Sequence, residues 1–327
     1  MLHTPVTTLS PNRGSRRIAA ICGGTSSERE ISLSSGKAIA KALNEAGWEA
    51  DILDWPESAV VYRCNELKGY EVVFICYHGG AGENGRIQAV LDVAGIRYTG
   101  SGPLASALAM DKIQSKRLFE YSGIPTPKWF QWENREPPTA EHILDNADLD
   151  LPIVVKPASE GSTVGITIAK TENELASGID AARKCGRRIF FEEYIPGREV
   201  TCAILDGVRL PVVEIVPEGG FYDYEHKYTK GASRYIVPAE LEDDVSVKII
   251  DIAMRAYNLL GLRHYARVDF RLNGFEPYCL EINSLPGMTS LSLVPMAAKA
   301  LGIEFPELVD RIVRMALLNE NRTSAKG

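Results

Sequence analysis

The segment YARVDFRLNGFEPYCLEINSLPGMTS, residues 265–290, carries Arg267, Asp269, Glu281 and Asn283 within two otherwise apolar-rich runs. Carboxylate and amide oxygens are the donors that a hard cation such as Mg²⁺ prefers, and a guanidinium stabilises developing negative charge. Asn273-Gly274 between the runs is a hairpin signal. Residues two apart on a strand share a face, so Arg267 pairs with Asp269 on one strand and Glu281 with Asn283 on the other. A five-residue connection, Asn273 to Pro277, sets Asp269 opposite Glu281 and Arg267 opposite Asn283. Facing carboxylates repel, and a cation between them reverses that sign. Taken alone, the same charges also fit a solvated sheet face, and a one-residue slip would separate them.

A second set of residues suits phosphate. In VVKPASEGSTVG, Lys156 ends an apolar run, and the loop Ser159 to Gly165 holds two glycines and three hydroxyls. Such a loop can lay backbone N–H groups on phosphates, with the lysine as a point charge. Lys112, in MDKIQSK, offers a similar charge or simply an exposed helix face. Glu192, Glu193 and Glu199 follow the apolar run in FFEEYIPGRE and are able to accept from an adenine amino group and ribose hydroxyls. No G-x-x-x-x-G-K-[ST] occurs, and GGTSSERE lacks the G-x-G-x-x-G spacing, which disfavours a P-loop or a nicotinamide site.

These groups need elements to hold them. Residues 17–100 alternate strand and helix: RIAAIC, a helix through ISLSSGKAIAKALNEAG, strands WEADILD and YEVVFICY, and the helix RIQAVLDVAG. That order implies a parallel sheet covered on both faces, with GGTSSERE and HGGAGENG at the strand ends where ligands gather. From about 105 to 192 the pattern becomes strand, Gly/Ser loop, strand, helix, strand, which suggests a small antiparallel sheet with helices on one side. The remainder adds long strands, the polar loop FYDYEHKYTKGASRY, one strong helix (VSVKIIDIAMRAYNLLG) and two closing helices. With 327 residues, two or three domains are expected. The formal charge of −7 argues against nucleic acid or an anionic membrane as partner. Six separated cysteines without a C-x-x-C indicate a reducing compartment, and no run reaches the ~18 apolar residues of a membrane span. The opening MLHTPVTTLSPNRGSRR does not read as a secretory signal, so a cytoplasmic protein is expected.

Together, GGTSSEREISLSSG, HGGAGENG, YTGSGPLASALAMDKIQSK, VVKPASEGSTVG, FYDYEHKY, ARVDF and LEINSLPGMTSLSLVPMAAKA resemble the ATP-grasp superfamily, and more closely the D-alanine–D-alanine ligase family. The resemblance runs from about residue 17 to 315. It implies a three-domain α/β and α+β ATP-grasp architecture with an N-terminal parallel-sheet domain. The divisions are a loose extension over 1–16, a substrate domain over 17–105, a central subdomain with the phosphate loop over 106–192, and a C-terminal subdomain with metal and substrate sites over 193–320. It implies ATP-dependent joining of two D-alanines through a D-alanyl phosphate, for peptidoglycan precursors, with two Mg²⁺ and Mn²⁺ able to substitute. Lys112, Lys156, Glu160, Ser162 and Lys227 would contact the nucleotide's phosphates or close over them. Glu192, Tyr194, Ile195 and Glu199 would hold adenine and ribose. Asp269, Glu281 and Asn283 would bind the metals, and Arg267 with the Gly287 amide would form an oxyanion hole. Glu28 would hold the first D-alanine's ammonium with His78 nearby. Lys227, Ser292 and Leu293 would hold the second D-alanine's carboxylate. Glu28, Ser162 and Tyr228 match the family's hydrogen-bonded triad. By analogy with the family, a homodimer is expected.

The sequence departs from the family pattern at Asn84, where aspartate is usual, at Gly80-Ala81, where Arg-Gly is frequent, and at His226, where a small residue is common. An acceptor other than D-alanine (D-lactate or D-serine) is the nearest alternative, and a nucleotide-binding regulator without catalysis is a more distant one.

Overall fold

The structure is a computed structural model and describes residues 16–133, 136–161, 164–186, 188–206, 208–217, 233–290 and 292–318. Three sheets divide the work. The first is parallel, in the order β2-β1-β3, from β1 (Arg17–Gly23), β2 (Glu49–Trp55) and β3 (Val72–Ile75). Helix α1 (Arg29–Glu45) buries Ser32, Ser35, Ile39, Ala40 and Leu43, a helical stripe, and Gly47 at φ +88° lets the chain turn back beyond its end. Residues 57–67, where the sequence reading named no element, form α2 (Glu57–Leu67). Parallel strands of one sheet cannot be joined by a tight turn, so a crossover had to lie between β2 and β3.

Short helices α3 (Gly80–Glu83), α4 (Arg86–Val93) and α5 (Pro103–Met110) lead to α6 (Lys112–Tyr121). The break between the last two falls at Asp111, whose extended backbone and side chain cap the new helix by accepting from Gln114 N–H at 3.2 Å. The second sheet is antiparallel, in the order β4-β7-β5-β6, from β4 (Trp129–Gln131), β5 (Ile153–Pro157), β6 (Thr167–Ala169) and β7 (Ile189–Glu193). Helices α7 (Ala140–Asn146) and α8 (Glu172–Cys185) share one apolar core with it through Ile153, Val155 and Phe191, which leaves the face of Lys156 and Glu192 for other tasks.

The third sheet is antiparallel, in the order β10-β9-β8-β11-β12, from β8 (Arg198–Leu205), β9 (Val208–Pro217), β10 (Ser233–Ile236), β11 (Tyr265–Asn273) and β12 (Glu276–Asn283). Helix α9 (Asp243–Leu259) covers its apolar face. Helices α10 (Leu293–Ala300) and α11 (Phe305–Leu318) close the chain, and α11 returns to pack on α1 and β3 of the first sheet. Its buried Leu308, Val309, Ile312, Val313 and Ala316 form the stripe that this packing needs. Among the described residues no helix is long and apolar enough to cross a membrane.

His264 fixes how β11 enters the third sheet. It sits at φ +67° with 1% exposure, its backbone N–H donates to Asp206 at 2.7 Å, and its Nδ1 accepts from Gly100 N–H at 3.0 Å. Burial first, then the charge of Arg263, lowers its pKa to about 4 from 6.5. Below pH 6.5 the unfolded chain takes up a proton that the fold refuses, so stability is lost as pH falls from about 6.5 toward 4, by up to roughly 3 kcal/mol. His264→Asn keeps an acceptor and tolerates positive φ. Urea unfolding of the two proteins across pH 4–7 should show a shallower acid loss in the variant. Identical slopes would contradict this role for His264.

Candidate active site

The hairpin β11–β12 turns through only two residues, Gly274 and Phe275, with Gly274 at φ +60°. The five-residue connection read from the sequence is therefore corrected: glycine at the first central position permits a tight turn. That turn pairs Asn273 with Glu276 and continues to Phe270 with Cys279, a register that would set Asp269 against Leu280. A β-bulge absorbs Leu280 as an extra residue, and beyond it Asp269 faces Glu281 and Arg267 faces Asn283. The expected face-to-face arrangement is present, reached by a different route.

Each of the opposed carboxylates has its own cation. Arg267 donates to both oxygens of Asp269 at 2.8 Å, and Asn283 Nδ2 at 3.0 Å and Thr201 Oγ1 at 2.6 Å add to them. Glu281 lies 3.0 Å from Lys112 Nζ, which also donates to the carbonyl of Glu160 at 2.6 Å. Asp269, Glu281 and the Asn283 amide make a hard oxygen donor set on one half-buried face, which fits Mg²⁺ once phosphate and water oxygens complete the shell. A cleft lined by Glu83, Lys112, Gly161, Glu281 and Asn283 opens on this face.

Lys156 on β5 and Glu192 on β7 share the open face of the second sheet, both nearly buried. The Glu192 carboxylate is held by two ammonium groups, those of Lys156 and Lys116. Burial opposes its charge, but the two lysines outweigh that, and its pKa is lowered. Lys116 was not foreseen. It lies one turn beyond Lys112 on α6, and a lysine at that spacing reads as an exposed helix face until the tertiary contacts are known.

Arg271 was also missed, although its position two residues past Asp269 on β11 was a usable signal. It donates to the carbonyls of Ile195 at 3.0 Å and Gly197 at 2.7 Å, lies 3.6 Å from Glu199, and stacks 5.7 Å from the Tyr194 ring centroid. One side chain thus touches Tyr194, Ile195, Gly197 and Glu199, three of them expected to receive adenine and ribose. Burial raises the pKa of Glu160.

Glu28 and His78 approach this cleft from the first sheet, Glu28 beside Gly161 and His78 beside Glu83, which both line it. A Cβ at Gly79 would fall 2.8 Å from Glu28 Oε2, and one at Gly161 3.7 Å from it, so these glycines admit the carboxylate against the phosphate loop. His78 meets Ser35 Oγ through Nε2 at 3.1 Å and lies 3.6 Å from Glu83 through Nδ1. Asn84 accepts from Arg86 N–H at 3.3 Å. Gly287 packs against Ser292, whose Oγ accepts from Thr289 N–H at 3.1 Å. The Leu293 side chain belongs to the apolar core, which leaves only its backbone for a substrate. Ser162, His226, Lys227 and Tyr228 lie outside the described residues.

An opposed carboxylate pair beside a cleft lined by Lys112 and Glu281, with a second buried glutamate held by two lysines, fits the class of enzymes that activate a carboxylate with a nucleoside triphosphate. Family models described as D-ala D-ala ligase N-terminus and C-terminus match residues 54–101 and 118–314. A D-alanine–D-alanine ligase from Synechococcus sp. (strain JA-3-3Ab) is 46% identical over 303 residues, 92% of this chain and 93% of that protein. The crystal structure of D-alanine–D-alanine ligase from Bacillus anthracis complexed with ATP is similar at a TM-score of 0.81 and 31% identity, covering 94% of this chain and 99% of that one. The VanG D-Ala:D-Ser ligase from Enterococcus faecalis is similar at a TM-score of 0.79 and 29% identity, over 93% and 100%. The chain belongs to the D-alanine–D-alanine ligase family.

Arg271→Met should leave the global unfolding midpoint nearly unchanged yet loosen the segment Tyr194–Glu199. Losing hydrogen bonds from a charged donor costs about 1.5–3 kcal/mol, so amide exchange at residues 195–199 should speed up roughly tenfold to a hundredfold. Unchanged exchange there would show that Arg271 does not anchor the segment.

Proposed function

We infer that the chain is an ATP-dependent ligase that couples two D-alanine molecules into D-alanyl-D-alanine for peptidoglycan synthesis. The observation that carries this reading is the convergence of the Asp269–Glu281 pair, Lys112 and Glu28 on one cleft, in a chain that belongs to the ligase family. We place the reaction in the cytoplasm, where ATP is available.

A free carboxylate is a poor acyl donor because its oxygen is a poor leaving group. In the proposed sequence, a carboxylate oxygen of the first D-alanine bonds to the γ-phosphorus of ATP while the bond to the β–γ bridging oxygen breaks, giving D-alanyl phosphate and ADP. Lys112 and Lys156 offset charge on the phosphates, and the loop from Ser159 to Gly165 covers them. Two Mg²⁺, held by Asp269, Glu281 and Asn283, would supply charge neutralisation and in-line positioning. Glu28 orients the ammonium of the first D-alanine. The amine of the second D-alanine then attacks the acyl carbon, phosphate leaves, and the nitrogen loses a proton. Arg267 and the Gly287 amide stabilise the tetrahedral oxyanion. Water must be kept from the acyl phosphate meanwhile, a task suited to the segments carrying Ser162 and Tyr228.

Two experiments test this reading. Purified protein should release ADP only when D-alanine is supplied, and Glu281→Gln should abolish that release while leaving the fold intact, because the change keeps volume but removes the metal-binding charge. Near-normal ADP release from the variant at saturating Mg²⁺ would refute the metal site.

With a D-Ala:D-Ser ligase similar in fold, acceptor choice is assigned to particular residues. Tyr228 favours D-alanine, since its hydroxyl is suited to join Ser162 and Glu28 in a hydrogen-bonded chain over the intermediate. Tyr228→Phe should cost about tenfold to a hundredfold in rate with D-alanine as acceptor, the worth of one hydrogen bond to a charged partner. Its preference for D-alanine over D-lactate should narrow. Undiminished selectivity would contradict the role of Tyr228.

A further inference from the structure

Lys116 is fully buried, with 0% exposure; among the described residues the other buried lysines are Lys112, which lines the cleft, and Lys156, which holds Glu192. Its Nζ contacts the Glu192 carboxylate, donates to Thr126 Oγ1 at 2.6 Å and lies 3.5 Å from the Pro127 carbonyl. Thr126 Oγ1 in turn donates to the carbonyl of Cys279 at 2.8 Å, two residues before Glu281 on β12. Lys116 therefore stands where α6, β7 and the metal strand meet. The other Glu192 oxygen is held by Lys156.

Two ammonium groups and one carboxylate leave this cluster with an excess positive charge. Burial, then the second ammonium, lowers the pKa of Lys116, whereas both lysines favour the charged form of Glu192. Such a cluster is prepared for an anion. If Lys156 turns to phosphate, Glu192 keeps only Lys116, and without it would be a lone buried carboxylate, which is costly.

We propose that Lys116 is a positioning residue, the resident counter-ion that keeps Glu192 charged and in place when a bound nucleotide draws Lys156 to its phosphates. It is anchored by Thr126 and by its burial, so it has no route to the cleft, and its action on the reaction passes through Glu192. This rests on the reading of Lys156 and Glu192 as nucleotide residues, and the test separates the two.

Steady-state kinetics would be measured for wild type, Lys116→Met, Glu192→Gln and the double variant, with folding checked by circular dichroism. Lys116→Met should raise KM for ATP by about tenfold or more, the scale of one charge-assisted contact, while kcat and KM for D-alanine stay within roughly threefold. A purely structural defect would lower the active fraction and leave KM for ATP alone. Glu192→Gln should also raise KM for ATP, and adding Lys116→Met to it should cost nothing further, since no buried carboxylate remains to be neutralised. If Lys116→Met fails to fold, the double variant against Glu192→Gln decides on the same criterion. An unchanged KM for ATP in Glu192→Gln would overturn the nucleotide reading and the proposal with it. A raised KM in Glu192→Gln with a normal one in Lys116→Met, or losses that add in the double variant, would overturn the proposal alone.

Discussion

Two carboxylates facing each other across neighbouring strands repel, and a sheet keeps them only if something else compensates. In this chain Asp269 and Glu281 are brought face to face by a specific irregularity, the extra Leu280 in β12. A regular ladder running from the tight Gly274-Phe275 turn would have turned Glu281 toward the apolar side. The compensation is divided: Arg267 and Asn283 satisfy Asp269, and Lys112, from a different part of the chain, satisfies Glu281. Everything that positions Lys112, including the Asp111 break between α5 and α6, therefore bears on whether the carboxylate pair is stable before a metal arrives.

The same helix joins the two charge centres. Lys112 reaches Glu281, and Lys116, one turn on, reaches Glu192. Four residues along a helix bring both side chains to one side. The third sheet adds Arg271, whose contacts fix Ile195 and Gly197 from the strand that also carries Asp269. These side chains add to the pairing of β8 with β11, which already sets Glu199 beside Arg271.

Much of this was legible in the sequence, but unevenly. Parallel and antiparallel sheets followed from the order of apolar runs and glycine-rich turns, and the closing helices followed from their stripes. Residues 57–67 were passed over because their helical pattern is weak, although the parallel strands on either side required a crossover. The facing of Asp269 and Glu281 was inferred through a longer loop that gives the same pairing as a tight turn plus a bulge. A bulge has no composition of its own, so only coordinates could tell the two apart. Lys116 was hidden because burial of a lysine depends on a distant glutamate, and no local pattern announces that. Arg271 was within reach of simple strand alternation.

The account rests on one chemical claim: the charged cleft drives phosphoryl transfer onto a carboxylate, not onto water. That claim is tested most directly by turnover with D-alanine labelled with ¹⁸O in its carboxylate, followed by mass analysis of the inorganic phosphate released. Each phosphate should carry one labelled oxygen, because the oxygen that bonds to the γ-phosphorus leaves with it. Phosphate free of label, released together with ADP and dipeptide, would contradict it.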